Sequence, residues 1–256
     1  MVAEPIQVLR SAAAPAAPAA RRARLVIAGA TGAMGNEVMR LLVGSLAFDS
    51  TEVLASEPMT TGLRHVHSWV APAAEPGEWP PLAADTAVVM FDPPRLFYGR
   101  ERALWTPAPQ QLPALARWLR VGGVQTLAIV MPHTQMRLPQ ALKQGLANLD
   151  EQAIAALGFE RLLIVRTAQK PSDRAAPNPL AAVAHWMLSA FKYMVPSGEL
   201  PVRAVKVAEF VACALRMAPP GIHVAAPETV WQASQGQVRA EVARWLEVPG
   251  EQPPAG

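Results

Sequence analysis

The chain has little cysteine, little tyrosine, few charges and no long apolar run, and each shortage narrows what it can be. One cysteine, Cys213, rules out an internal disulfide and a metal centre built from several thiolates. Cys213 lies in the apolar helical pattern 207–215, which reads as a small core position with a catalytic thiol as the alternative; a reducing cytoplasm fits this usage. No stretch carries the roughly 18 uncharged apolar residues of a membrane span, so none is expected. Charged residues make up 17% of the chain, and 23 basic against 20 acidic side chains leave a net charge of only +3. No basic stripe interleaved with aromatics is present, so nucleic acid is not an expected partner. Tyrosine occurs twice, at Tyr98 and Tyr193.

What is present is a globular composition, 51% apolar over 256 residues, enough for one α/β domain with a substantial core. Residues 1–23 form an Ala/Pro-rich tail ending near Arg21-Arg22 that reads as disordered. The alternation after it predicts a single domain over 24–250 with a small C-terminal lobe at about 167–200.

The densest signal is Arg24 to Gly35. Leu25 to Ala28 reads as a buried strand; a turn with glycines at 29, 32 and 35 follows; Val38, Leu41 and Leu42 then fall on one helix face. Strand, glycine turn and helix in this order predict a phosphate-binding turn. Gly29 permits the tight turn, Gly32 admits a pyrophosphate close to the backbone, and Gly35 lets helix and strand approach. The helix N-terminus adds unpaired amides and partial positive charge. Gly29, Ala30, Thr31, Gly32, Ala33, Met34 and Gly35 are therefore the expected dinucleotide contacts.

Further strands are expected at 51–55, 86–91, 126–131, 161–166 and 222–225. Helices are expected at 110–120, 139–157, 180–195, 205–216 and 234–246, the last opened by a Ser234/Gln237 capping box. The proline-rich stretch 72–81 reads as a surface connection. Apolar strands alternating with amphipathic helices predict a Rossmann-like, doubly wound parallel sheet with helices on both faces. The apolar 180–195 helix, with Trp186 and Phe191, is either a core helix or a contact for a second copy or another protein.

The turn Gly29-Ala30-Thr31-Gly32-Ala33-Met34-Gly35 resembles that of the short-chain dehydrogenase/reductase superfamily, in its atypical or extended branch, which includes NmrA-like and Tat-interacting-protein-like members. Residues 157–166 and 201–208 look like later segments of the same group, and the resemblance spans roughly 24–232. It implies an NAD(P)-binding Rossmann fold. It also implies a catalytic Tyr with Lys four residues on, and here the pattern departs: those positions fall near Lys143 and Ala147, Tyr98 is followed by Arg102, and Tyr193 by Ser197. The usual serine is replaced by Met131-Pro132-His133-Thr134.

The remaining acid/base candidates are His133, at a strand's C-terminal end, and Lys143. After the second strand, Glu57 suits the ribose hydroxyls of NAD and Arg64 the 2′-phosphate of NADP, so the cofactor is NADP or NAD. Asp92 sits where such folds approach the cofactor, or else simply opens the turn at Pro93-Pro94. His65 and His67 could share one side of a strand, but no third metal ligand accompanies them and a solvent-facing strand explains them. Two functions remain open: an oxidoreductase acting on a carbonyl substrate, and a nucleotide-sensing or accessory protein on a scaffold without catalysis.

Overall fold

The structure, a computed structural model, describes residues 23–45, 47–59, 62–72, 75–94, 99–132, 150–167 and 203–248. His133, Lys143, the 180–195 helix, the tail up to residue 22, and all of the expected lobe but Thr167 lie outside the described residues, while Ala23, expected in the tail, opens the first strand.

Seven strands form one sheet: β1 Ala23–Ala28, β2 Phe48–Ala55, β3 Val66–Val70, β4 Thr86–Met90, β5 Thr126–Met131, β6 Arg161–Arg166 and β7 Gly221–Ala225. Their order is β3-β2-β1-β4-β5-β6-β7, and every pair is parallel. The chain leaves β1 toward one edge and returns at β4 to build the other half, so the topological switch lies between β1 and β4. The glycine turn opens there, where doubly wound sheets hold their ligands.

Strand parity divides the core. Leu25, Ile27, Val88, Met90, Ala128, Val130, Leu163 and Val165 face one side, against α1 (Gly32–Gly44), α5 (Ala204–Met217), α6 (Pro227–Gln235) and α7 (Val238–Trp245). Val26, Ala28, Ala87, Val89, Leu127, Ile129, Leu162 and Ile164 face the other, against α3 (Leu112–Val121) and Ile154 of α4 (Glu151–Ala155). Nearly every one of these strand side chains is sealed from water, which is why the strands read as continuous apolar runs. Cys213 is a buried core residue on α5.

Several boundaries differ from expectation. The expected helix over 139–157 is not continuous: α4 begins at Glu151, where the Ala153 N–H donates to Asp150 Oδ1 at 2.9 Å and the carboxylate caps a new helix. The expected 234–246 helix is two helices. Ser234 lies inside α6 and its hydroxyl donates to Trp231 O at 2.6 Å, while α7 starts after Gln237 without a side-chain cap. The Ser234/Gln237 capping box is therefore absent. The proline-rich 72–81 stretch is more than a surface connection. Its Trp79 is buried, with ring centroids 5.0–5.4 Å from Trp105, Trp118 and Trp69. Trp118 Nε1 donates to Pro80 O at 2.9 Å, tying the stretch to α3.

His65, just before the edge strand β3, and His67, within it, are both exposed, and among the described residues no group of three His, Cys, Asp or Glu could hold a metal.

Candidate functional site

The expected phosphate-binding turn forms at the C-terminal end of β1. Gly32 has φ +69°, a left-handed conformation that favours glycine. A Cβ on Gly35 would lie 2.6 Å from the Gly29 carbonyl oxygen, so any side chain there would drive α1 away from the turn. Gly35 N–H donates to Thr31 O at 3.1 Å and closes the first turn of the helix. The first turn of α1 contains no acidic residue. An aligned helix with no acid of its own at the N-terminus presents donors and positive potential to whatever anion is nearest.

That anion comes from the chain itself. Beyond β4 the backbone enters Asp92, and a second segment, 99–107, returns over the turn. Glu101, on the single helical turn α2 (Gly99–Arg102), accepts from the Gly32 N–H at 3.0 Å with Oε2 and from Asn36 Nδ2 at 2.9 Å with Oε1. Asp92 Oδ2 accepts from the Met34 N–H at 3.2 Å. The Thr31 hydroxyl donates to the Asp92 carbonyl and lies 3.1 Å from the Thr106 hydroxyl. Asp92 and Glu101 are both buried, at 6% and 3% exposure. Asp92 approaches so closely that a Cβ on Gly32 would sit 2.7 Å from its Oδ2.

Just beyond Glu101, residues 103–105 run beside the end of β2, on the side toward β1. Ser56 N–H donates to Ala103 O at 2.7 Å, Trp105 N–H to Leu54 O at 3.0 Å, and Gly29 N–H to Trp105 O at 3.1 Å. Ala55 and Leu104 pair as an isolated antiparallel bridge, and Leu104 is buried. This segment lies across the ends of β1 and β2, the region where a Rossmann fold takes its nucleotide.

Burial pushes the Asp92 carboxyl up to about 6 from its ordinary 3.8. The Met34 N–H pulls the other way, and the neighbouring Glu101 charge adds to the rise. Two acids thus share one helix terminus, a costly arrangement that the helix amides only partly offset.

Of the residues expected from sequence, Gly29 to Gly35 and Asp92 come together. Glu57 and Arg64 are both exposed; Glu57 follows β2 beside the 103–105 segment, and Arg64 lies in the turn before β3. His133 and Lys143 are outside the described residues; the strand leading to them ends at Met131, with Pro132 buried beyond it. Sequence reasoning missed Glu101 altogether. Between Arg100 and Arg102 it reads as part of a solvated charge run. The one available signal was the acid-free first turn of α1, which asks for a carboxylate or an external anion from elsewhere.

No known protein-family profile and no curated protein matches the chain. Among solved structures, MoeE5 in complex with UDP-glucuronic acid and NAD is similar at a TM-score of 0.50 and 10% identity, covering 90% of this chain and 94% of that one. The Helicobacter pylori ADP-L-glycero-D-manno-heptose-6-epimerase is similar at a TM-score of 0.44 and 12% identity, covering 85% and 83%. The Bordetella bronchiseptica enzyme WbmH in complex with NAD+ is similar at 0.43 and 13%, covering 83% and 81%. The fold shared with MoeE5 is the Rossmann-like fold described above.

Proposed function

We propose that this chain is an NAD(P)-binding protein of the atypical short-chain dehydrogenase/reductase kind, oxidoreductase-like, with a carbonyl compound as substrate if it turns one over. One observation carries the reading. The amides of Gly32 and Met34, at the turn between β1 and α1, already hold negatively charged oxygens, here the carboxylates of Glu101 and Asp92. A pyrophosphate presents the same chemistry to the same donors. With both acids in place those donors are taken, so this arrangement and a bound dinucleotide exclude one another.

Within this reading Gly29 to Gly35 hold the pyrophosphate, Asp92 borders it, and Glu57 or Arg64 sets the choice between NAD and NADP. His133 and Lys143 are the proposed acid/base groups, because the Tyr-x-x-x-Lys pair is missing. A second reading has its own support: the filled crevice and the missing pair suit a nucleotide-sensing or accessory protein that acts through a partner on the 180–195 helix.

The test is titration of the purified chain with NADH and with NADPH, followed by quenching of its seven tryptophans. Micromolar binding of one form is expected. Absence of binding of either form at millimolar concentration would overturn the cofactor reading and leave the accessory one.

A further inference from the structure

We infer that residues 99–107 are a built-in competitor of the nucleotide site: Glu101 occupies the pyrophosphate donors and 103–105 occupy the adjoining crevice, so a dinucleotide enters only as this segment leaves. The inference rests on the reading that the glycine turn takes a dinucleotide, and it names how that site is regulated.

The geometry makes the competition mutually exclusive. Glu101 is not near the helix terminus by chance of crowding; each of its oxygens accepts a separate hydrogen bond, from Gly32 N–H and from Asn36 Nδ2, and Asn36 Nδ2 also reaches Gly32 O at 2.7 Å. A pyrophosphate bound to the same amides would place its charge against two buried carboxylates, Glu101 and Asp92. Like charges in a dry site repel far more strongly than in water. The dinucleotide and the ionised Glu101 cannot both stay.

The same contacts show why the segment can leave. It joins the sheet at Ser56, Leu54 and Gly29 through an isolated bridge rather than a continuous strand ladder. Its anchoring apolar contacts are Leu104, buried under α1, and Trp105, packed edge-on to Trp79. Its one acid, Glu101, faces Asp92, and Asp92 is held charged at a cost near neutral pH. Around Asp92, the turn and α1 contribute Thr31, Gly32 and Met34, which are uncharged, and Glu101 is the charge that acts on it. Departure of Glu101 relieves that repulsion and frees the donors in one step. A nucleotide whose phosphates replace the Glu101 carboxylate recovers the lost hydrogen bonds, so the exchange is one anion for another.

The experiment compares the intact chain with Glu101→Gln, which keeps volume and removes charge, and with Leu104→Ala, which loosens the segment at a side chain that bonds to none of the donors. Affinity for NADH and NADPH is measured at pH 7.5, and amide hydrogen exchange of Ser56 and Trp105 is followed with and without saturating dinucleotide. The inference expects both variants to bind about tenfold or more tightly than the parent, a change of one decade in Kd. It also expects saturating dinucleotide to speed exchange at Ser56 and Trp105, because their segment-mediated hydrogen bonds open. Parent and variants binding equally well, with exchange at these amides unchanged or slowed, would overturn the inference and leave nucleotide binding standing. No binding by the parent or by either variant at millimolar dinucleotide would overturn the cofactor reading itself, and the inference with it.

Discussion

The two ends of the sheet treat charge in opposite ways. At the C-terminal end, two carboxylates are sealed from water against a helix terminus, with Glu101 3% and Asp92 6% exposed. At the N-terminal end, a cavity of about 200 Å³ opens among the strand starts, lined by Thr86, Thr126, Arg161 and Arg216. There the charges stay near solvent: Arg161 pairs with Glu160 at 3.2 Å, and both side chains are at least a third exposed. Surface pairs of this sort contribute little, whereas buried acids set the energetics of whatever surrounds them. The C-terminal end buries two acids beside an anion site, whereas at the N-terminal end the Arg161 side chain keeps a third of its surface exposed and only its Nε is buried without a hydrogen-bond partner.

Three substitutions test that contrast. The largest effect is expected from Gly35→Val. Its Cβ would meet the Gly29 carbonyl at 2.6 Å, with backbone on both sides, so α1 must shift. The chain should lose about 3–5 kcal/mol by chemical denaturation or fail to fold. A loss under about 1 kcal/mol would show that the turn is not packed as described.

Asp92→Asn should act in the other direction, and only above acid pH. The folded Asp92 titrates near 6 against an ordinary 3.8, so the folded state binds this proton more tightly than the unfolded one. Stability is therefore greatest, for this group, below the unfolded value, and is lost as pH rises through about 6. Asparagine keeps an acceptor for Met34 N–H without the charge. The variant should match the parent near pH 4 and exceed it at pH 8 by roughly 1–3 kcal/mol, read from denaturant midpoints at both pH values. A difference that is the same at both pH values would mean that burial does not govern Asp92.

At the N-terminal end, Glu160→Gln removes the partner of Arg161 and should change stability by less than about 0.5 kcal/mol at any pH between 5 and 8. A larger effect would erase the contrast between the two ends.

Much of the fold was legible because its causes are local. Leu25 to Ala28, Leu127 to Met131 and Leu162 to Val165 are apolar at consecutive positions, as strands covered on both faces are. The glycine turn was legible because its spacing and its place between strand and helix are both short-range. Helix ends were less so. Asp150 and Gly236 break what periodicity alone reads as continuous, because a cap or a break costs only one or two residues of pattern. The catalytic candidates His133 and Lys143 were named from position after β5, and they remain proposals.

Taken by itself, the sequence determined the strand–turn–helix unit, the apolar core strands and the absence of a Tyr-x-x-x-Lys pair, since each depends on residues a few positions apart. Only the tertiary structure decided what meets the turn. Glu101 is 69 residues from Gly32 and Asp92 is 58 from Met34, and nothing in either local pattern points to the other. Their meeting follows from sheet order: β4 pairs with β1, so the chain leaving β4 emerges directly over the glycines, where an acid-free helix terminus draws in carboxylates.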